Sequence, residues 1–210
     1  DFSTIGNFMY VATLLTDPAR PLLERVTVES LRNAWGGGDA RWLDPGVAAE
    51  FAIEAMPENR WEVWQGLQAL GVDLVVQAAE GRRKRVLLAD MDSTMIQAEC
   101  IDELADFAGL KDQIAEITER AMQGELDFAE ALTERVRLLG GLGEGAIAQC
   151  LAERVPPMPG AATLVATLKD HGCFTVLVTG GFHQFADPVA DQLGFERVVA
   201  NRLAVEHGAL

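Results

Sequence analysis

Two carboxylates one residue apart, Asp90 and Asp92, follow the apolar run Val86-Leu87-Leu88-Ala89 and are followed in turn by two hydroxyls, Ser93 and Thr94. An apolar run of that length reads as a buried strand, and open α/β sheets present their chemistry at the carboxyl ends of such strands. Continued extension would aim both carboxylates to one face, where they repel unless a cation or a shared proton relieves them. Mg²⁺ suits such hard oxygen ligands, and it usually completes its shell with water and substrate phosphate. A calcium loop counted from Asp90 would want Gly at its sixth position and Glu at its twelfth. The chain has Met95 and Ile101 there, which excludes that reading.

A bare D-x-D is also what turns and helix caps use. A second apolar run, residues 174–178, changes the balance because it ends in Thr179-Gly180-Gly181. A hydroxyl followed by two glycines lets a side chain and backbone N–H groups approach a phosphate closely. Together the two strand ends predict phosphoryl transfer through an aspartyl phosphate. One carboxylate attacks phosphorus, the other handles the leaving group's proton, and the metal neutralises charge.

Other reactive residue types offer less. His171, His183 and His207 show no metal-ligand spacing. Cys100, Cys150 and Cys173 show no C-x-x-C pattern, so they read as buried, reduced thiols of a cytoplasmic protein. A net charge of -15 argues against a nucleic-acid partner, because phosphate backbones are gripped by concentrated Lys and Arg. The one basic cluster, Arg82-Arg83-Lys84-Arg85, reads as a solvated linker. The apolar stretch 8–15 is too short to cross a bilayer and lacks the flanks of a signal peptide, so no membrane partner is expected. Gly140-Gly141-Leu142-Gly143-Glu144-Gly145 follows a helix rather than a strand, which favours an interhelix loop over a dinucleotide site.

The elements that must position the two strand ends can be read from periodicity. With 210 residues, 49% hydrophobic and 23% charged, the chain has the composition of a soluble globular protein of one large or two small domains. Residues 1–80 read as a small α+β domain: a strand over 9–15, a helix over 21–35, extended segments at 41–43 and 48–55, a helix carrying Trp61, Trp64 and Leu67, and a strand over 72–77. Trp35, Trp42, Trp61 and Trp64 are expected to pack or to form a subunit interface. Residues 81–210 read as an α/β core with a parallel sheet. Its first strand is followed by three amphipathic helices marked by Ile101/Leu104/Ala105/Ala108, Ile114/Ile117/Ala121/Met122 and Phe128/Leu132/Val136/Leu139. Pro156-Pro157-Met158-Pro159-Gly160 marks the return, and a helix over 161–170 leads into the second strand.

The string Asp90-Met91-Asp92-Ser93-Thr94 resembles the first motif of the haloacid-dehalogenase-like phosphatases, and Thr179-Gly180-Gly181-Phe182 is similar to their second. Further strings resemble the cap and core of the bacterial phosphoserine phosphatases in that superfamily: Glu99-Cys100-Ile101-Asp102-Glu103-Leu104, Ala121-Met122-Gln123-Gly124, Phe128 with Arg135-Val136, and Ala200-Asn201-Arg202-Leu203. The resemblance covers about residues 84–210. The amino-terminal half is similar to the small ACT-like regulatory domain that many of these enzymes carry.

The resemblance implies a Rossmann-like core with a helical cap over about residues 97–155, hydrolysis of O-phosphoserine as the last step of serine biosynthesis, and Mg²⁺ as cofactor. It makes Asp90 the nucleophile and Asp92 the acid that protonates the seryl oxygen and then the base that activates water. Mg²⁺ would be held by the Asp90 carboxylate and the Asp92 backbone carbonyl, and phosphate by Thr179 and Gly180. Glu99 would meet the substrate ammonium and Arg135 its carboxylate, with Met122 and Phe128 closing over both.

Taken alone, these cap residues stay open to plainer readings. Glu99 suits a helix start, and Met122 and Phe128 suit core packing. Arg135 lies seven residues beyond Phe128, hence on nearly the same helical face, where an Arg either snorkels or grips a carboxylate. A homodimer is compatible with the resemblance. The alternatives are a phosphotransferase, a phosphatase of another small phosphomonoester, or a non-catalytic amino-acid sensor. The family also uses a later Lys and a later Gly-Asp segment. This sequence reaches Leu210 without them, in what reads as the middle of a hairpin at Glu206-His207-Gly208, so a truncated core is expected.

Overall fold

A computed structural model of the chain describes residues 9–143 and 145–210. They form two compact units, Asp1–Arg83 and Lys84–Leu210.

The first unit contains β1 (Tyr10–Leu15), α1 (Arg25–Ala34), β2 (Arg41–Asp44), β3 (Ala48–Ile53), α2 (Arg60–Gln68) and β4 (Asp73–Ala78). The strands make one antiparallel sheet in the order β2-β3-β1-β4, the split β-α-β-β-α-β arrangement. Alternation along β1 and β3 sends Ala12, Leu14, Phe51 and Ile53 into a core with Val28 and Leu31 of α1 and Leu67 of α2. Helix α1 begins later than the periodicity predicts, because the Leu23 N–H is taken by the Gly46 carbonyl in the β2–β3 turn. Trp35, Trp42 and Trp64 pack against this core as expected, whereas Trp61 is 64% exposed.

One expectation fails here for an electrostatic reason. Glu50 of β3 is buried, and its two carboxylate oxygens each accept a 2.6 Å hydrogen bond, one from Arg41 and one from Arg82. A buried carboxylate requires such partners. Arg82 is therefore an ion-pair partner of the sheet rather than part of a solvated linker.

The second unit contains β5 (Val86–Ala89), α3 (Cys100–Phe107), α4 (Lys111–Met122), α5 (Phe128–Leu138), α6 (Gly145–Arg154), α7 (Ala161–Asp170), β6 (Phe174–Phe182), α8 (His183–Leu193) and β7 (Arg197–Asn201). The sheet is parallel, in the order β5-β6-β7. Four helices, not three, separate β5 from α7. Helix α6 was hidden by the glycine run that precedes it, and it buries Ile147 and Cys150 against the rest of the unit. Helix α5 starts with a reciprocal capping box between Asp127 and Glu130, which fixes its first turn and hence the direction of Phe128. The chain leaves and re-enters the sheet layer along paired segments: the Gln97 N–H donates to the Pro156 carbonyl and the Met158 N–H to the Met95 carbonyl.

One sheet face, carrying Leu87, Ala89, Leu177 and Val198, packs into the helical core. On the other, Val176 is buried but Val86, Leu88, Phe174, Val178 and Val199 are exposed, so strands expected to be buried are only partly so among the described residues. At the end of the chain Glu206 and Ala209 exchange backbone hydrogen bonds around His207 and Gly208, both at positive φ, which is the hairpin turn expected there.

Candidate active site

Parallel pairing sets Ala89, the last residue of β5, beside Leu177 of β6, and so brings the two predicted strand ends together. Immediately beyond β5 the chain folds over on the buried Met91, whose carbonyl accepts from the N–H groups of Thr94, Met95 and Ile96. This tight turn forces Ser93 to φ 53°, a left-handed backbone that a non-glycine residue adopts at a cost. Its result is that Asp90 is exposed while Asp92 is drawn inward.

The Asp92 carboxylate is held from two directions. Its Oδ1 accepts the Cys100 N–H at 2.8 Å, in the first turn of α3, where the helix dipole favours negative charge. Its Oδ2 accepts from the Thr179 hydroxyl at 3.4 Å, and that hydroxyl oxygen in turn accepts the Gly181 N–H at 2.9 Å. Burial, with the adjoining Asp92 charge, pushes the Cys100 thiol well above its ordinary range, so it stays protonated. Asp90 is less engaged: its Oδ2 accepts one long bond from Thr94, at 3.4 Å.

Space beside these groups is tight. A Cβ on Gly181 would stand 3.2 Å from Thr179 Oγ1 and 3.3 Å from Asp92 Oδ2. Register with β7 shifts between Val178 and Phe182, so the strand carries an irregularity where Thr179, Gly180 and Gly181 lie. The Gly180 carbonyl is nevertheless fixed, by the Asn201 side-chain amide at 2.8 Å.

Of Glu99, Met122, Phe128 and Arg135 the structure brings some to this centre and leaves others apart. Glu99 is the N-cap of α3 but makes no side-chain cap to its own helix; it accepts the Ser93 hydroxyl at 2.7 Å. Phe128 lies against the Gly180 backbone, since a Cβ there would be 3.3 Å from Phe128 Cζ. Phe128 and Met122 are 73% and 85% exposed, so core packing is not their role in this conformation. Arg135 is hydrogen-bonded to Thr118 of α4 and, among the described residues, to no group of the sheet. Ser93, Cys100, Asn201 and Thr118 join the site without a role foreseen from the sequence. Ser93, a hydroxyl beside the paired acids, and Asn201, a polar side chain at a third strand end, carry a local signal; Cys100 and Thr118 carry none.

The donors suit a hard cation in kind: the exposed Asp90 carboxylate has lone pairs to spare, and the Asp92 backbone offers a carbonyl. Among the described residues no group of three or more His, Cys, Asp or Glu could hold a metal ion. Mg²⁺ does not demand one, because one or two carboxylates with waters and a substrate phosphate suffice. The hollow of about 410 Å³ along α6, lined by Leu151, Val155 and Pro156, includes none of these residues. Among the described residues no helix is long and apolar enough to cross a membrane.

Residues 84–208 match the family model of the haloacid dehalogenase-like hydrolases. A phosphoserine phosphatase of Archaeoglobus fulgidus is 40% identical over 170 residues, which are 78% of this chain and 49% of that protein. The crystal structure of a probable phosphoserine phosphatase from Vibrio cholerae, unliganded, superposes with a TM-score of 0.72 at 30% identity, covering 99% of this chain and 64% of that one. A phospho-aspartyl intermediate analogue of a phosphoserine phosphatase superposes with a TM-score of 0.55 at 36% identity, over 61% of each chain. The chain spans about half the length of the curated relatives it matches. With paired acids and a hydroxyl-glycine turn on adjacent strand ends, and a family match over its larger unit, this chain belongs to the haloacid dehalogenase-like hydrolases.

Proposed function

We propose that the protein hydrolyses O-phosphoserine to serine and phosphate through an aspartyl phosphate on Asp90. The observation that carries this reading is the placement of Asp92. Its carboxylate is fixed by Cys100 and Thr179 while Asp90, two residues earlier, stays exposed and weakly bonded. Two neighbouring carboxylates in such different surroundings suit different tasks.

In this reading an Asp90 oxygen attacks phosphorus and the P–O bond to the seryl oxygen breaks. Asp92 supplies the proton that the departing oxygen needs. Serine leaves, Asp92 takes a proton from water, and that water attacks phosphorus, so the Asp90–phosphorus bond breaks and both acids return to their starting states. The Thr179 hydroxyl and the N–H groups around Gly180 bind the phosphoryl oxygens. Mg²⁺, when bound at the Asp90 carboxylate and Asp92 carbonyl, would offset the charge that accumulates on those oxygens. Glu99, steadied by Ser93, suits a substrate ammonium, and Arg135 suits its carboxylate. Met122 and Phe128, exposed on the cap, would bury apolar surface on closing over substrate.

The similar proteins supply support: one is named a phosphoserine phosphatase, and another represents a phospho-aspartyl intermediate of such an enzyme. We assign residues 97–155 to the cap and residues 1–80 to an ACT-like regulatory domain, and we place the protein in the cytoplasm as a homodimer. The β-α-β-β-α-β order of the first unit supports the ACT-like reading. The test is turnover of a panel of phosphomonoesters by the full natural chain with Mg²⁺. O-phosphoserine should be the preferred substrate; cleavage of another ester but not of this one would sink the substrate assignment.

A further inference from the structure

Arg135 is tied to α4 by a hydrogen bond whose direction is fixed. Thr118 Oγ1 lies 3.0 Å from the Ile114 carbonyl oxygen, one turn earlier in the same helix, and donates its single proton there. The hydroxyl oxygen is thereby left as an acceptor, and Arg135 Nη2 donates to it at 2.7 Å across the α4–α5 interface. Pinning one terminal nitrogen fixes the rotation of a planar group that otherwise has several rotamers to choose from. The Arg135 Nε–H is buried and, among the described residues, has no acceptor. A buried donor in that state is costly until something accepts from it.

We propose that Thr118 is a positioning residue for substrate selection. Its hydroxyl holds the Arg135 guanidinium in one rotation, so that the remaining terminal N–H groups receive a carboxylate on the substrate. Thr118 therefore sets the preference for phosphomonoesters that bear an α-carboxylate over those that lack one. This rests on the reading of Arg135 as the carboxylate-binding group. It adds to that reading a residue on another helix, one that touches neither substrate nor the reacting atoms. A valine fills the same space without the hydroxyl. It would leave the Ile114 carbonyl with its helical bond and the guanidinium free to turn.

The experiment compares O-phospho-L-serine with O-phosphoethanolamine, the same ester without the carboxylate, as substrates of the full natural chain. Thr118→Val should raise KM for phosphoserine about tenfold with kcat within about twofold, and leave KM for phosphoethanolamine within about twofold. Phosphoethanolamine turnover thus doubles as evidence that the variant folds. Thr118→Ser, which keeps the hydroxyl, should restore the phosphoserine KM. An unchanged KM for phosphoserine in Thr118→Val, an equal rise for both substrates, or no rescue by Ser would overturn the proposal. Arg135→Ala separates the two layers. If it leaves the wild-type preference for phosphoserine intact, the carboxylate reading fails and Thr118 falls with it. If it abolishes the preference while Thr118→Val does not disturb it, only the positioning role fails.

Discussion

The Oδ1 atom of Asp92 accepts the main-chain N–H of Cys100 at 2.8 Å, which ties the end of the first parallel strand to the first turn of α3. The same carboxylate reaches Thr179 through Oδ2. One side chain thus touches α3 and the Thr179-Gly180-Gly181 turn, two residues along the chain from the exposed Asp90. Geometry at Asp92 and the placement of α3 are consequently linked.

Asp92→Asn keeps an oxygen for the Cys100 N–H but loses the proton carrier. In steady-state assays with O-phosphoserine and Mg²⁺, kcat should fall by about 10²–10⁴-fold. The thermal midpoint should hardly move. An unchanged kcat would remove Asp92 from acid–base work.

Gly181→Ala introduces a Cβ tighter than ordinary contact with Thr179 Oγ1, Asp92 Oδ2 and Met91 Cε. The hydroxyl and carboxylate must give way, and a displacement of a few tenths of an ångström at reacting groups is expensive. Turnover should drop at least about tenfold, with secondary structure retained by circular dichroism. Wild-type turnover in the alanine variant would show that the crowding is harmless.

How much of this was legible beforehand depended on the range of the interaction. Helices α3, α4 and α5 carry apolar residues at helical spacing and were predicted from it, and the pairing of two strand ends followed from Asp90, Asp92, Thr179 and Gly180 alone. Helix α6 was missed because Gly145 continues a glycine run and the stripe that follows is short. The Arg82–Glu50 pair joins residues 32 apart in sequence, and the Arg135–Thr118 bond joins neighbouring helices whose packing no local pattern specifies. The left-handed turn at Ser93 was equally hidden, since nothing in D-x-D-S-T marks a positive φ.

Arg154 of α6 pairs with Asp106 and Glu103 of α3 and lies over the Phe107 ring. Its hydrogen bond holds the Asp106 carboxyl below its ordinary value of 3.8. A depressed native value means that the unfolded chain binds the proton first as pH falls, so this contribution is complete above the ordinary value and disappears below the native one. Thermal melts of wild type and Arg154→Met should therefore differ at pH 6, and the difference should narrow as the pH falls below 3.8. A constant difference across that range would contradict the assignment.

Cys150 is fully buried in the second unit, and burial, aided by the Glu103 charge, pushes its thiol upward. Thiolate is the reactive form, so alkylation by iodoacetamide at about pH 8 should spare Cys150 in the folded protein and proceed once urea unfolds it. Peptide mapping reads the difference. Labelling of the native protein at the rate of a free thiol would mean that this core opens readily.

The proposed hydrolysis passes through an aspartyl phosphate on Asp90. Acid quenching of the full natural chain during turnover of phosphoryl-labelled O-phosphoserine with Mg²⁺, followed by peptide mass spectrometry, measures it directly. The predicted result is a hydroxylamine-labile phosphoryl group on the peptide containing Asp90, absent from Asp90→Asn. A label on another residue, or one that survives in Asp90→Asn, would contradict Asp90 as the nucleophile.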